Sequence, residues 1–327
     1  MTALCISLKS ADPYFNLAAE EYFLKNYSDE IFLLWQSESA IVVGKHQNAL
    51  AEINHRYVRE NQIRVARRLS GGGTVFHDMG NLNYSFMKQV DRVEKINYSD
   101  FARLMTGILN ELGLNAYTTK SNDILIDGKK ISGSAEHVYK NRILHHGTLL
   151  FDSQLDQLKD ALKVDLSRFE HKAVQSNRSE VTNISGYLNK PMSIQEFSGF
   201  ILNSVARSYP NARIKTLTEQ DIKAIEALRK EKYSRWDWIY GYSPRYRYHN
   251  EMKTGTGKIC FSLSVEKGKI KESEWKGNLS GGLAELLSKQ LESLNHDYEA
   301  IKPSLLAISR QLQNEKADPF ALLDKIL

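Results

Sequence analysis

Arg67-Arg68-Leu69-Ser70-Gly71-Gly72-Gly73-Thr74-Val75-Phe76-His77-Asp78 is the stretch on which the fold of this chain turns. Three consecutive glycines are entropically costly to order. A chain keeps them where the backbone needs positive φ or where a ligand must approach without a Cβ in the way. Successive N–H groups in such a turn form a concavity that receives an anion. Two arginines lead into it, and a guanidinium fork matches a phosphate or a carboxylate. A plain hairpin with surface arginines fits the glycine content equally well, so the loop gains meaning only from its neighbours. Two nucleotide motifs are excluded. No Gly-Lys-Ser/Thr follows at the Walker spacing. A β-rich run, Val75-Phe76-His77, follows where the dinucleotide fingerprint needs a helix. The later Gly255-Thr256-Gly257-Lys258 also misses the Walker spacing and reads as a turn.

On both sides of the loop, short β-rich runs alternate with helical patterns. Residues 4–8, 31–35, 40–43, 64–69, 75–77 and 82–87 are predicted strands. Residues 15–25 are a predicted helix, with Phe15, Leu17, Ala18, Ala19, Tyr22 and Phe23 on its apolar face and Pro13 just ahead of it. Phe101, Leu104, Met105, Ile108 and Leu112 recur at helical spacing and predict a helix over 99–112. Residues 124–126, 131–134 and 143–151 are predicted strands, with Asp127-Gly128 as a hairpin signal between the first two. Helical patterns fill 193–232, and an aromatic stretch follows at 236–242. Beyond it come two strands, 259–265 and 270–275, around Lys267-Gly268. Leu283, Leu286, Leu287 and Leu294 then predict a helix behind Ser280 as N-cap. The expected organisation is two domains, 1–243 and 244–327, with no internal repeat.

Composition narrows the partners. The chain has 327 residues, 42% hydrophobic and 25% charged, ordinary for a globular protein of two domains. Its 44 basic and 39 acidic residues leave a formal charge of +5, which favours an acidic substrate or protein partner. No block of like charge is long enough for a basic arm, so nucleic acid is not indicated. Cys5 and Cys260 are far apart and form neither a disulfide framework nor a zinc spacing, which fits a reducing compartment. Residues 2–8 lack a basic flank and read as a strand, not a signal peptide. No apolar run approaches the roughly 18 residues that span a bilayer. A cytoplasmic protein without membrane partners is expected.

A second segment bears on chemistry. Asn122-Asp123-Ile124-Leu125-Ile126-Asp127-Gly128-Lys129-Lys130-Ile131-Ser132-Gly133-Ser134-Ala135 folds as a hairpin that presents Lys130 beside small residues. An ammonium there would stabilise negative charge developing on a phosphate. Taken alone, a solvated surface lysine is the simpler account. His145 and His146 are adjacent on a strand and point to opposite faces, so they do not readily ligate one metal. One of them is expected to be packed and hydrogen-bonded.

Together these segments resemble the lipoate–protein ligase A family. The family pattern of two arginines, Ser-Gly-Gly-Gly, Val-Phe-His-Asp and Gly-Asn is met from Arg67 through Asn81. Its Lys-x-x-Gly-x-Ala motif is met by Lys130, Gly133 and Ala135, and its His-Gly-Thr-Leu-Leu segment by 146–150. Asn16-Leu17-Ala18-Ala19-Glu20-Glu21 is similar to the family's N-terminal helix, and 179–183 to its adenylate-binding loop. The resemblance implies an α/β (α+β) fold: a biotin/lipoate-ligase-like catalytic domain of mixed and antiparallel sheets flanked by helices, plus a small α/β C-terminal accessory domain. It implies ATP-dependent activation of lipoate to lipoyl-AMP with Mg²⁺. The lipoyl group would then pass to a lysine of apo lipoyl domains of 2-oxoacid dehydrogenase complexes or of the glycine cleavage H protein. By resemblance Lys130 is catalytic. Arg68, Gly73, Thr74, Val75, Phe76, Asn122, Asp123, Lys130 and Arg178 would bind ATP or the adenylate, with Asp123 also toward Mg²⁺. Leu17, Arg67, Gly71, Gly72, His77, Lys130, Gly133 and His146 would bind lipoate. The competing accounts are an ATP-independent octanoyl or lipoyl transferase using a cysteine, a biotin ligase (whose glycine-arginine-rich loop is not found), and a non-catalytic lipoate- or nucleotide-binding protein.

Overall fold

The computed structural model describes residues 3–90, 96–176, 179–277, 279 and 282–327. Two compact units are present. The first comprises Met1–Lys45, Ile63–Lys159 and Ser176–Arg235; the second comprises His46–Gln62, Asp160–Gln175 and Trp236–Leu327.

The first unit is built on a six-stranded mixed sheet. Parallel strands β1 (Ala3–Ser7) and β2 (Glu30–Trp35) are joined by helix α1 (Pro13–Asn26), because a parallel pair needs a crossover. Strands β6 (Asn81–Gln89), β11 (Arg142–Leu150) and β10 (Ser134–Tyr139) continue the sheet antiparallel, and β13 (Arg213–Ile214) closes its other edge. Side chains alternate between the two faces. Phe32, Leu34, Tyr84 and Phe86 pack with Phe101, Met105 and Ile108 of α3 (Ser99–Asn110), and with Phe197, Ile201 and Val205 of α5 (Ile194–Ser208). The opposite face carries Ser85 and His146, which meet α1.

Helix α1 departs from its expected single apolar face. Asp12 caps it by accepting from the N–H groups of Tyr14 and Phe15, and Pro13 opens it. Its burial extends almost all round and includes Asn16, Glu20 and Glu21. The sheet covers one side, and α6 (Glu219–Leu228) with the wide turn Arg229–Tyr233 covers another. There Tyr22 donates to Asp221, and Lys232 and Tyr233 donate to Glu21.

Two three-stranded sheets complete the unit. In one, β3 (Ala40–Val43) lies between β4 (Arg64–Arg67), parallel, and β5 (Val75–His77), antiparallel. The other is an antiparallel run of β7 (Tyr117–Thr118), β8 (Ile124–Ile126) and β9 (Lys129–Ser132). Asp127 and Gly128 both have positive φ, 49° and 77°, so the predicted hairpin turn forms as a two-residue loop. The predicted strand at 131–134 is instead divided. β9 ends at Ser132, the Gly133 carbonyl accepts from Thr148 N–H, and β10 starts at Ser134. A short helix α4 (Leu155–Ala161) follows β11.

The second unit is an antiparallel sheet in the order β12 (Phe169–His171), β14 (Tyr246–Thr254), β15 (Gly257–Glu266), β16 (Lys269–Gly277). It also holds α7 (Leu283–Leu291), α8 (Tyr298–Ala307), α9 (Ser309–Asn314) and α10 (Pro319–Ile326). β15 and β16 turn at Lys267-Gly268 as expected. β14 was not expected: its buried side Tyr246, Tyr248, Met252 alternates with polar residues and carries no β-branched residue before Thr254. Two segments inside 1–243 belong to this unit, one carrying helix α2 (His55–Glu60) and the other β12. Ser280, the expected N-cap, lies outside the described residues; Gly282, at φ 80°, precedes α7.

Candidate active site

The glycine turn runs from the end of β4 to the start of β5, both of which pair with β3. Gly72 has φ +81°, a conformation L side chains rarely adopt. Arg68 is buried and turned inward. Its Nε donates to Ser70 Oγ (2.9 Å), one terminal nitrogen to the Val42 carbonyl (3.0 Å), and the other to the Gly71 and Gly73 carbonyls (2.6 and 2.7 Å). These bonds occupy four of the five guanidinium N–H groups. Burial pushes the Arg68 guanidinium down to about 10, offset in part by the Glu20 carboxylate, so it remains charged at neutral pH. Arg67, fully buried, donates to the Gly44 and Lys45 carbonyls at 2.9 and 3.1 Å. Both arginines therefore brace backbone around the turn.

Lys130 stands on β9 with its ammonium 2.9 Å from Asp123 Oδ1, both side chains about a quarter exposed. Asn122, at φ +63°, makes the bend that brings Asp123 round, and Asp123 N–H donates to Thr119 Oγ1. Gly133 makes room: a Cβ there would stand 2.8 Å from Lys130 Cε and 2.9 Å from Nζ.

One segment ties the two motifs together. Thr74 N–H donates to Ser176 Oγ at 2.8 Å. A few residues on, Lys130 N–H donates to the Glu180 carbonyl (2.9 Å) and Thr182 N–H to the Lys130 carbonyl (3.0 Å). Gly72 also lies over the lysine segment, since a Cβ on it would be 3.8 Å from Ala135 Cβ. The turn and the lysine motif, remote in sequence, thus share one region. Arg178, expected here, lies outside the described residues.

The wall between α1 and the sheet holds Leu17, Trp35, His77 and His146, all buried. Trp35 meets the His77 ring edge-on at 5.4 Å. Both ring nitrogens of His77 lack a partner among the described residues, and burial, reinforced by Arg68 and His146, pushes the imidazole down to about 3. It is neutral at physiological pH, with one donor and one acceptor available to a ligand. His146 bonds Glu20 through Nδ1 (2.9 and 3.0 Å) and Ser70 Oγ through Nε2 (2.6 Å). His145 takes the opposite face, bonded to Glu136 and stacked on Phe101. Val75 and Phe76 lie in β5. Sequence reasoning missed Glu20, Trp35 and Ser176. Nothing local marked them: a carboxylate on a helix is ordinarily solvated, and Glu20 is buried only by packing.

Among the described residues no group of three His, Cys, Asp or Glu is placed to hold a metal ion, and no helix is long and apolar enough to cross a membrane. Cys5 is buried, and burial pushes its thiol up to about 11.

Fold and site together define an α/β catalytic domain of the biotin/lipoate ligase type, with a small C-terminal domain after it. A family model of the lipoyl protein ligase A/B catalytic domain matches residues 12–206, and one of the bacterial lipoate protein ligase C-terminus matches 243–324. The chain belongs to the lipoate–protein ligase family and is an enzyme, a ligase. It is 41% identical over 274 residues to the lipoate-protein ligase LplJ of Bacillus subtilis, covering 83% of each chain. It is similar to the structure of P. falciparum LipL1 in complex with lipoate (TM-score 0.61, 25% identity, 93% of this chain and 94% of that one). A lipoate-protein ligase A bound with ATP also matches (TM-score 0.61, 25% identity, 74% of this chain and 98% of that one).

Proposed function

We propose that the chain activates lipoate with ATP and transfers the lipoyl group to a specific lysine of an acceptor protein. The acceptors are apo lipoyl domains of 2-oxoacid dehydrogenase complexes or the glycine cleavage H protein. The observation that carries this is that Ser176 bonds the glycine turn while Glu180 and Thr182, four and six positions on, bond the backbone of Lys130. The relatives solved with lipoate and with ATP support the two substrates.

In the first step a lipoate carboxylate oxygen attacks the α-phosphorus, the bond to the β-phosphate oxygen breaks, and pyrophosphate leaves. Positioning and charge neutralisation are the protein's share. The backbone of Gly73 to Phe76, with Asn122 and Arg178, receives the nucleotide, the Thr74 N–H being held by Ser176 Oγ; Arg68 supports the turn from within. Lys130 bridges the α-phosphate and the carboxylate, and Asp123 holds its ammonium in place beforehand. Asp123 would hold Mg²⁺ bound with the nucleotide, which would neutralise phosphate charge: Mg²⁺ is satisfied by one carboxylate plus phosphate oxygens, and Asp123 Oδ2, turned from Lys130, accepts only an exposed Ser121 hydroxyl among the described residues. Leu17, Gly71, Gly72, Gly133, His77 and His146 line the lipoyl side, with Arg67 behind them. In the second step the acceptor amine attacks the acyl carbon, the bond to the phosphate oxygen breaks, and AMP leaves with a proton lost from the amine.

All these residues lie within 1–243, proposed as the catalytic domain, with 244–327 as the accessory domain. Acidic acceptors agree with the charge of +5, and a cytoplasmic site of action agrees with two free cysteines. An acyl intermediate on Cys5 is disfavoured, because a buried thiol with a raised pKa is a poor nucleophile. The test is incubation with lipoate, Mg²⁺-ATP and an apo lipoyl domain, followed by mass spectrometry and pyrophosphate release. Lipoylation that requires ATP is expected. Transfer from an acyl thioester without nucleotide would overturn the proposal.

A further inference from the structure

Arg68, Ser70, His146, Glu20 and Ser85 form one continuous chain of hydrogen bonds through the interior of the first unit. Its proton directions follow from the donors. Arg68 can only donate, so Ser70 Oγ accepts from Nε at 2.9 Å. The Glu20 carboxylate can only accept, so His146 Nδ1 carries a proton and donates it at 2.9 and 3.0 Å. In the neutral imidazole Nε2 then accepts from the Ser70 O–H, 2.6 Å away. Ser85 Oγ donates to the same carboxylate at 2.5 Å. Arg68, Ser70, Glu20 and His146 are all buried, the last 7% exposed. Among the described residues no carboxylate lies within ion-pair distance of Arg68. Its counter-charge is Glu20, reached through the serine and the imidazole.

We propose that Glu20, His146 and Ser70 are positioning residues. They hold the Arg68 guanidinium against the Gly71 and Gly73 carbonyls, and so keep the glycine turn in the shape that receives the nucleotide. This rests on the function proposed above. The order carboxylate, imidazole, hydroxyl is also that of an acyl-transfer triad. Ser70 is unsuited to that role: it is 1% exposed, and a guanidinium bonded to its oxygen lowers that oxygen's electron density and so its nucleophilicity. The chain ends on a turn carbonyl pair, not on a reacting atom.

The test compares Ser70→Ala, Glu20→Gln, the double variant and the conservative Ser70→Thr, in the full chain. Pyrophosphate release is measured against ATP and lipoate separately. Ser70→Ala and Glu20→Gln are each expected to raise KM for ATP about tenfold, the scale of losing a hydrogen bond to a charged group. The double variant is expected to be little worse than either single, because both break one chain. Ser70→Ala should leave KM for lipoate near wild type, and Ser70→Thr should keep KM for ATP within about twofold. Multiplicative effects, an unchanged KM for ATP, or a lipoyl ester on Ser70 in intact-mass spectra would overturn the assignment. Hydrogen exchange of the peptide spanning 69–76 gives a readout independent of catalysis. It should quicken in Ser70→Ala and Glu20→Gln but not in Ser70→Thr, and unchanged exchange refutes the brace whatever the ligase assay returns. A wild-type protein that releases no pyrophosphate refutes the proposed function alone.

Discussion

Lys130 combines three properties a charge-stabilising residue needs: a carboxylate that orients it, a glycine that leaves it space, and a backbone tied to the segment over the glycine turn. Lys130→Ala is expected to lower adenylate formation by a hundred- to thousandfold, on the order of one lost electrostatic donor. Its side chain is about a quarter exposed, so the melting temperature should stay within a degree or two. Pyrophosphate release near the wild-type rate would remove Lys130 from the mechanism. Gly133→Ala tests the space instead. The added Cβ meets only the flexible end of Lys130, so folding should change by less than about 1 kcal/mol while turnover falls at least about tenfold. A variant with full turnover would mean the ammonium has no fixed place. The hairpin that presents Lys130 was legible from Asp127-Gly128, while its role was suggested only by the resemblance of Lys130, Gly133 and Ala135 to the family motif. Glu20 was not legible, because a carboxylate on a helix is ordinarily solvated, and only the packing of α1 between sheet and α6 buries it.

The elements read from sequence are those whose own residues specify them. The Asp127-Gly128 hairpin is set by two residues that tolerate positive φ, and α3 by its apolar repeat. β10 and β14 escaped for the same reason. β10 is an edge strand, half-buried at every position, so it has no alternation to detect, and β14 buries tyrosines beside charged residues. The turn before β6 is demanding in another way. Gly80 lies against the backbone that follows β11, where its carbonyl accepts from Phe151 and Asp152 N–H. A Cβ on Gly80 would stand 2.0 Å from the Asp152 carbonyl oxygen, which cannot swing aside as a side chain would. Gly80→Ala should therefore destabilise the chain by about 3 kcal/mol or more, seen as a lower urea midpoint. An unchanged midpoint would show that this backbone approach is not needed.

Across the whole molecule, histidines make stability depend on pH: His55, His77, His137, His145, His171 and His296 are all held below the ordinary value, three of them far below it. Burial holds His77 at about 3 and His55 and His296 at about 4, against an ordinary 6.5. Each binds a proton more readily unfolded than folded. Their contribution is complete above about pH 6.5 and declines as pH falls toward 4, at up to about 1.4 kcal/mol per pH unit for each histidine. His77 belongs to the first unit and the other two to the second, so both should weaken over that window. Glu21 adds a loss at lower pH. Burial alone would raise its carboxyl, but hydrogen bonds from Lys232, Lys25 and Tyr233 prevail and lower it. Melting temperatures flat from pH 6.5 to 4.5 would contradict this account.

The sequence by itself determined the turns at Asp127-Gly128 and Lys267-Gly268 and the helices with an apolar repeat, because turn chemistry and periodicity act over a few neighbouring residues. Only the tertiary structure decided that both arginines face inward and that residues 20, 70 and 146 form one hydrogen-bonded chain. His146 and Glu20 are 126 residues apart. No local pattern encodes a contact of that span; it exists because the crossover helix and the sheet bury a carboxylate and an imidazole against each other, where each needs the other's hydrogen bond.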